Sequence, residues 1–565
     1  MKILSLHCDY IKFKPLKNAL KNPEELSEKR KNEINVKDPL VIMVAVEKKD
    51  EQNPELLNLF TNEIKKLAKE IKAKNLVIYP YAHLSSSLSN PEFALKILKE
   101  TEDNLKKDFE IIERAPFGYY KEFELKVKGH PLSELSREIN YSEEIKKQEE
   151  IYDHKKLLKE ITKLKLDSRK LKDNDHRIIG QQMDLFSFSD LAPGMVFWHN
   201  KGLIIRNQLI NFLREEQNKL DYQEIQTPQI LDKKLWQISG HWEKYKENIF
   251  LSEYEKRDFA IKPMNCPGAM LVYKSRPKSY KDLPLRLAEI GIVHRQELSG
   301  VLSGLFRLIQ FTQDDAHIFC TEKQLEEEIT KIINLIDKFY KTFKFNYHVE
   351  LSTRPEKRIG DEKLWDKAEK ILEKILEKKE LKFKINKGDG AFYGPKIDFH
   401  ISDSLKRTWQ LATIQLDFAM PERFDLTYTD NENKQKRPIM IHRVIYGSIE
   451  RFIGIILEHT KGHLPLWLSP LQVRIINFTD KNNKSCEDLF QKLKEYNIRV
   501  DIDLHQEPIG GKIKQAEIEK IPYIVVIGDK EEKTGNLAVR KEGKISEIKE
   551  REFIEKILKE IKEKN

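Results

Sequence analysis

Apolar runs and apolar stripes divide this chain into four stretches of different character. Leu40-Val-Ile-Met-Val-Ala-Val46 has no polar alternation, which predicts a strand buried on both faces. Leu57, Phe60, Ile64, Leu67 and Ile71 then recur at three- and four-residue spacing, the signature of one helix face. Asn75-Leu-Val-Ile-Tyr79 reads as a second strand, a second helix follows Pro91, and Phe123-Glu-Leu-Lys-Val127 reads as a further strand. Residues 1–140 are therefore expected to form a small α/β domain. Residues 141–174 turn Lys/Glu-rich with Leu157, Ile161 and Leu164 on one stripe, and predict a helical linker.

Over residues 175–464 the pattern changes. Pro193-Gly194 precedes a helical stretch through Leu203–Leu213, and short strands follow with a helical insertion near Leu325–Tyr340. Leu285–Glu297 reads as a strand, Ser299–Gly304 as a polar loop, and Leu305–Phe311 as the antiparallel return. Strands without regular βαβ alternation predict an antiparallel sheet of α+β type. From residue 465 to 565 the alternation becomes regular: Gln472–Asn477, a helix with Cys486, Leu489, Phe490 and Leu493 inward, Ile498–Ile502, another helix, and Tyr523–Ile527. That is the pattern of a doubly wound α/β domain.

The length of 565 residues agrees with several cores rather than one. No apolar run approaches the ~18 residues of a membrane span, and the first residues lack a signal-peptide plan. The four cysteines, Cys8, Cys266, Cys320 and Cys486, are too dispersed for a disulfide framework. Together these features predict a cytoplasmic protein with no membrane partner. A net charge of +9 permits a polyanionic partner such as RNA without requiring one.

Three segments carry metal-ligand chemistry: Lys262-Pro-Met-Asn-Cys-Pro-Gly268, Phe311-Thr-Gln-Asp-Asp-Ala-His317 and Ile441-His-Arg443. One thiolate and two imidazoles, from Cys266, His317 and His442, can hold zinc and leave a fourth position open to substrate. Their wide separation offers no compact zinc-finger spacing, so spacing alone also fits buried Cys and His. Arg295, Arg307 and Arg451 fall at the ends of predicted strands and at a helix start, where guanidinium forks suit a triphosphate. Read singly, each is equally a surface charge.

These segments resemble class II aminoacyl-tRNA synthetases. Tyr222-Gln-Glu-Ile-Gln-Thr-Pro228 resembles the first motif of that class, which lies at a dimer interface. Arg295-Gln-Glu297 with Phe311 resembles the second, and Gly447-Ser-Ile-Glu-Arg451 the third. Within the class, Ser239-Gly-His-Trp242, Lys262–Pro267, Phe311–His317, Ala391-Phe-Tyr-Gly-Pro-Lys396 and Trp409-Gln410 resemble the threonyl-tRNA synthetase family over about residues 175–565. The resemblance implies ATP contacts from Arg295, Glu297, Arg307, Lys396, Gln415 and Arg451, with Phe311 stacked on adenine and Mg2+ bridging phosphates. It implies one Zn2+ per subunit on Cys266, His317 and His442. Gln313, Asp315, Tyr393 and Gln410 would hold L-threonine, and His241 would face the terminal ribose of tRNA(Thr). Arg295, Arg451 and His241 are the implied catalytic residues of a homodimer.

Such a site rejects valine through its missing hydroxyl but separates serine only by a methyl, a difference of roughly 1–3 kcal/mol. A second sieve is expected. Tyr79-Pro-Tyr-Ala-His-Leu-Ser-Ser86, Ala115-Pro-Phe-Gly-Tyr-Tyr-Lys121 and Lys128-Gly-His-Pro-Leu-Ser-Glu134 resemble the archaeal-type editing domain, itself similar to D-aminoacyl-tRNA deacylases. By that resemblance His83, Tyr120, Lys121 and Glu134 line a pocket that hydrolyses seryl-tRNA. Gly528-Asp-Lys-Glu531 and Ala538-Val-Arg540 resemble the family's anticodon-reading end, with Glu531 and Arg540 as the reading residues and Lys512 and Lys514 suited to phosphates. Without the resemblance, these are solvated charges. The competing readings are a synthetase for proline or serine, and a catalytically silent synthetase-like RNA-binding or regulatory protein. Neither explains the separated Cys/His/His set beside a full complement of arginines.

Overall fold

A computed structural model describes residues 1–139, Lys155, Leu158 and 171–564. The chain forms two compact units, Met1–His154 and Lys155–Asn565. Apart from Lys155 and Leu158, the stretch 140–170 lies outside the described residues, and with it most of the expected helical linker.

The first unit is a seven-stranded sheet. Its strands are β1 (Lys2–Asn18), β2 (Ile34–Lys37), β3 (Pro39–Ala45), β4 (Asn75–Pro80), β5 (Ile111–Arg114), β6 (Tyr119–Val127) and β7 (Glu134–Glu138), with helices α1 (Leu56–Ile71) and α2 (Pro91–Leu105). The order is β2-β1-β3-β4-β5, and β6 and β7 also pair with β1. The long β1 escaped the sequence reading because its polar residues break the apolar pattern. β3 behaves as its unbroken run requires. Leu40, Ile42 and Val44 pack under the helices with Phe60 and Ile64, while Val41 and Met43 enter a second core with Phe13 and Tyr79 on the opposite face. α2 begins at Pro91 because proline suits the first helical position and Asn90 caps it, accepting from the Glu92 amide at 2.9 Å.

The second unit contains an eight-stranded sheet in the order β8-β9-β10-β15-β14-β13-β11-β12. These are β8 (Gln223–Glu224), β9 (Leu285–His294), β10 (Gln310–Cys320), β11 (Asn346–Ser352), β12 (Phe383–Asn386), β13 (Lys396–Ser402), β14 (Thr408–Asp417) and β15 (Ile439–Val444). All pairings are antiparallel except the two at the edges, β8 with β9 and β11 with β12. One face is covered by α4 (Asn200–Asn218), α6 (Leu325–Thr342), α7 (Glu362–Lys378) and α8 (Ile449–Thr460), whose Leu209, Phe212, Ile336, Phe339, Leu372 and Phe452 pack with Ile318, Ile414, Ile441 and Ile397. The alternate residues of the same strands, His317, Gln415, His442 and Lys396, face the other way. Two further helices bear on the site: α3 (His176–Gln182), and α5 (Cys266–Lys274), which packs against the opposite face of the sheet.

The return strand differs from expectation. It begins at Gln310, not Leu305. Residues 305–309 are drawn into a loop because Leu305 and Leu308 are buried and the Ile309 amide donates to the Gly194 carbonyl at 2.8 Å.

A five-stranded sheet follows, in the order β17-β16-β18-β19-β20. Its strands are β16 (Val473–Asn477), β17 (Val500–Asp503), β18 (Tyr523–Ile527), β19 (Asn536–Lys541) and β20 (Lys544–Lys549). α9 (Asn483–Glu495) and α11 (Glu550–Glu563) cover one face with Leu489, Leu493 and Phe553, and α10 (Ile509–Ile518) covers the other with Ala516. β16, β17 and β18 are parallel as the alternation requires, while β19 and β20 return antiparallel. Lys201 of α4 reaches Glu519 at 2.8 Å, and the Lys564 ammonium lies over Phe212 and Trp467, so this sheet is tied to the larger one. Among the described residues no helix is long and apolar enough to cross a membrane.

Candidate active site

Strand register assembles the site. His317 of β10 pairs with His442 of β15, His442 with Gln415 of β14, and Gln415 with Lys396 of β13. One row of side chains therefore crosses four strands on the face opposite α4, α6 and α8. Along β10, Phe311, Gln313, Asp315 and His317 share that face by period-two alternation. Gln410 joins them through a β-bulge between the Asp398 and His400 pairings, and its Nε2 donates to Asp398 Oδ1 at 2.6 Å. Above the row lies a cavity of about 740 Å³ lined by residues including Arg295, Glu297, Arg307, Phe311, Gln313, Asp315, Tyr393, Lys396, Gln410, Gln415, His442 and Arg451. Cys266 also reaches its wall.

At one end of this cavity, ligand atoms of Cys266, His317 and His442 lie within 4.8 Å of one another, all three residues buried. Both ring nitrogens of His317 are buried without a hydrogen-bond partner. A histidine so placed is costly unless an ion or other acceptor engages it. His442 Nε2 meets Asp417 Oδ2 at 2.9 Å, which leaves Nδ1 for the shared centre. The donor set of one thiol and two imidazoles, with a carboxylate behind one imidazole, fits zinc. Burial, reinforced by Asp315 and Asp417, pushes the Cys266 thiol well above its usual range. A divalent cation beside it would reverse that sign. Asn265 Nδ2 donates to Asp315 Oδ2 at 3.2 Å, and burial raises the Asp315 carboxyl. Tyr393 donates its hydroxyl to Gln415 Oε1 at 2.5 Å and stacks its ring near that of His442.

At the other end the arginines converge. The Arg295 guanidinium lies 5.1 Å from the Phe311 ring centroid, and its Nε donates to the Pro263 carbonyl at 3.2 Å. Arg307 donates to Glu297 at 2.9 Å. Arg451 emerges in the first turn of α8, where Ser448 caps its amide, and its Nε donates to the Phe306 carbonyl at 2.9 Å. Burial, with Arg295 and Arg307 nearby, lowers the Arg451 pKa, so this end of the cavity favours an anion. Lys396 is more engaged than the sequence suggested: its ammonium donates to Asp398 at 2.6 Å and Asp389 at 2.9 Å. Burial opposes that charge, and the two carboxylates outweigh it.

His241 lies directly behind the cavity wall, fully buried, with Nδ1 2.7 Å from Ser239 Oγ, Nε2 3.9 Å from Cys266 Sγ and its ring 5.5 Å from that of Phe392. Burial, with His442, Arg295 and Arg423 nearby, pushes it down to about 3. The sequence reading also missed the supports. Asp314 accepts from the amides of Ile445, Tyr446 and Gly447 at 2.8–3.1 Å and so shapes the turn before Arg451. Its burial raises that carboxyl to about 7. Asp417 caps Ala419 and Met420 with one oxygen while holding His442 with the other. Single carboxylates inside longer motifs give no local signal of such roles.

The four candidate editing residues are not all brought together. Lys121 is half-buried with its ammonium 5.2 Å from the Tyr79 ring, donating to the carbonyls of Pro116 and Tyr119, and desolvation lowers it to about 8. Tyr79, Tyr81 and His83 follow as a run of ring contacts, with His83 exposed. Tyr120, adjacent on β6, faces the opposite side, is 57% exposed and meets Lys17. Glu134 pairs with Leu6, near one end of β1, whereas Lys121 pairs with Pro15 towards the other. In the last domain, Glu531 is drawn back to accept from the Gly528 amide at 3.0 Å, while the Arg540 guanidinium lies 3.9 Å from Glu517. Lys512 is buried against Asn477 at 2.5 Å and is not available to a phosphate.

An antiparallel sheet that carries convergent arginines on one face defines the class II synthetase core. Residues 248–460 match the family model described as tRNA synthetase class II core domain (G, H, P, S and T). Residues 1–139 match the archaea-specific editing domain of threonyl-tRNA synthetase, and residues 472–560 match an anticodon binding domain. The threonine–tRNA ligase of Clostridium botulinum (strain Kyoto / Type A2) is 46% identical over 536 residues, covering 90% of this chain and 82% of that protein. The threonine–tRNA ligase of Carboxydothermus hydrogenoformans is 54% identical over 396 residues, covering 70% of this chain. That match spans 62% of the relative's length. A crystal structure from Cryptosporidium parvum Iowa II, described as the RNA binding domain of threonyl-tRNA synthetase, superposes with a TM-score of 0.67 at 39% identity, over 68% of this chain and 98% of that one. The chain belongs to the threonyl-tRNA synthetase family.

Proposed function

We propose that this chain is a threonine–tRNA ligase that activates L-threonine with ATP, transfers it to tRNA(Thr), and hydrolyses mischarged seryl-tRNA(Thr). The observation that carries the reading is the Cys266, His317 and His442 cluster within 4.8 Å at one end of an arginine-lined cavity. Residues 1–140 would edit, 141–174 link, 175–464 catalyse and 465–565 read the anticodon. The enzyme would work as a cytoplasmic homodimer.

Cys266, His317 and His442 would hold zinc, which when bound supplies a Lewis-acidic position for the amino and hydroxyl groups of threonine. Gln313, Asp315, Tyr393 and Gln410 would orient the amino acid so that its carboxylate points along the row toward the arginines. Arg295 and Arg451 would neutralise charge on the α-phosphate as the carboxylate attacks and pyrophosphate, carried with Mg2+, departs. Phe311 would stack on adenine. Glu297 and Arg307, now paired with each other, would separate to meet the base and the outer phosphates. No side chain need form a covalent intermediate, because positioning and charge neutralisation provide the rate enhancement. The adenylate is then captured by a ribose hydroxyl of the tRNA end. Glu531 and Arg540 would contact anticodon bases, with Glu531 releasing the Gly528 amide. In the first unit, Lys121, Tyr79 and His83 form the most coherent polar-aromatic patch and would line the editing pocket, with Tyr120 and Glu134 approaching only from other surfaces.

The test is amino-acid-dependent ATP–pyrophosphate exchange. Threonine should drive it most strongly, serine weakly, and valine and proline not at all, and Cys266→Ala should abolish it together with bound zinc. Exchange and zinc content at wild-type levels in that variant would overturn the assignment.

A further inference from the structure

Among the described residues, the other cluster of potential ligands is Asp175, His176 and Glu458, at the start of α3 and the end of α8. It is not built for an ion, since both nitrogens of His176 are already committed. Nδ1 lies 2.6 Å from Glu458 Oε1, and Nε2 accepts from the Leu305 amide at 2.9 Å. A ring nitrogen that accepts an N–H carries no proton, so Nδ1 bears the hydrogen and donates it to Glu458. The same Glu458 oxygen accepts from the His176 amide at 3.0 Å. The other Glu458 oxygen pairs with Arg407 at 2.7 Å.

Leu305 belongs to the loop between β9 and β10, which lies close against His176. Gly304 has φ +48°, and a Cβ there would lie 2.2 Å from His176 Nε2. The Phe306 ring sits 4.3 Å from the imidazole and 4.6 Å from Trp409, and the Arg407 guanidinium lies over both Phe306 and Trp409. The next groups along the chain are the Phe306 carbonyl, on which Arg451 rests, and Arg307 itself. We infer that His176 is a positioning residue for nucleotide binding: through the Leu305 amide it anchors the loop that sets Arg307 and Arg451 in the cavity. Because the anchor is formed before ligand arrives, the ordering cost of the loop is not charged against nucleotide binding. The inference rests on the reading of the cavity as an ATP site.

Two amide variants separate the two ring nitrogens. His176→Asn places a donor where Nδ1 was but cannot reach Leu305. His176→Gln extends an acceptor toward the Nε2 position. In the full chain, His176→Asn should raise the KM for ATP in pyrophosphate exchange by about tenfold, the effect of one lost buried hydrogen bond, with the KM for threonine and zinc content unchanged. His176→Gln should recover most of that loss. Amide hydrogen exchange of peptides spanning 299–309 should quicken in His176→Asn while β10 stays protected. Unchanged KM for ATP and unchanged exchange would overturn the inference. So would an equal rise in both KM values with protection lost throughout, which is the mark of a merely structural role. If the wild-type chain gives no threonine-dependent exchange, the functional reading fails instead, and the amide protection alone still decides whether His176 anchors the loop.

Discussion

Asp417 shows how one carboxylate does two things at the Cys266 end of the cavity. Oδ1 caps the amides of Ala419 and Met420, and Oδ2 holds His442 Nε2. In Asp417→Asn the amide oxygen can keep the cap, but the amide nitrogen would face Nε2 as a donor. The imidazole would then carry its proton on Nδ1, the nitrogen needed for an ion. Zinc affinity is expected to fall by about 10- to 100-fold with little loss of thermal stability, as measured by competition with a chelator. At this scale the sequence was most informative about Cys266, His317 and His442, because each sits in a string specific enough to identify without geometry. It was least informative about His241, which shares such a string yet points into the protein beside Cys266. Side-chain direction depends on what packs around a residue, and no motif encodes that.

At the scale of elements, the site is a matter of register. The row His317, His442, Gln415 and Lys396 exists because four strands pair in one alignment, and a slip of one residue would turn every member into the core. Gly291 on β9 shows how tightly that alignment is packed. It stands opposite Gln313, and a Cβ there would lie 2.3 Å from Asn265 Oδ1. Gly291→Ala must displace Asn265 and with it the hydrogen bond to Asp315. It should cost about 1–3 kcal/mol in urea unfolding and raise the KM for threonine more than that for ATP. The strand-and-helix pattern of β3, α1, α6 and the parallel strands of the last sheet was legible from apolar periodicity alone. The start of β10 was not, because Leu305 and Leu308 are apolar for the sake of the core beneath a loop and read as a continuing strand. Tyr120 and Lys121 show a related limit: adjacent strand residues face opposite sides, which a shared string of residues does not register.

At the scale of the whole molecule, charge ties the last sheet of the second unit to its larger sheet. Glu519 bridges Arg474 at 3.1 Å and Lys201 of α4 at 2.8 Å. Burial disfavours its charge, but Arg474, Lys201 and Gln515 outweigh that and hold the carboxyl down at about 2. The sign of the linkage follows. An ordinary glutamate in the unfolded chain titrates near ~4.3, so the contribution of Glu519 is complete above that pH and is lost as pH falls toward about 2. Glu519→Gln should lower the thermal midpoint at pH 7, and the gap from wild type should close on acidification; a gap independent of pH would show that the ion pairs contribute nothing. By itself, the sequence determined the family and the order of its editing, class II core and anticodon-binding domains. Those depend on residue types in local strings, and local strings survive without coordinates. Only the tertiary structure decided that remote Cys and His meet at one point, that Asp314 holds the turn before Arg451, that Asp417 holds His442 and His176 meets the Leu305 amide, and that Lys512 is buried against Asn477. Those outcomes depend on pairing register and burial between segments far apart in the chain, which no local pattern contains.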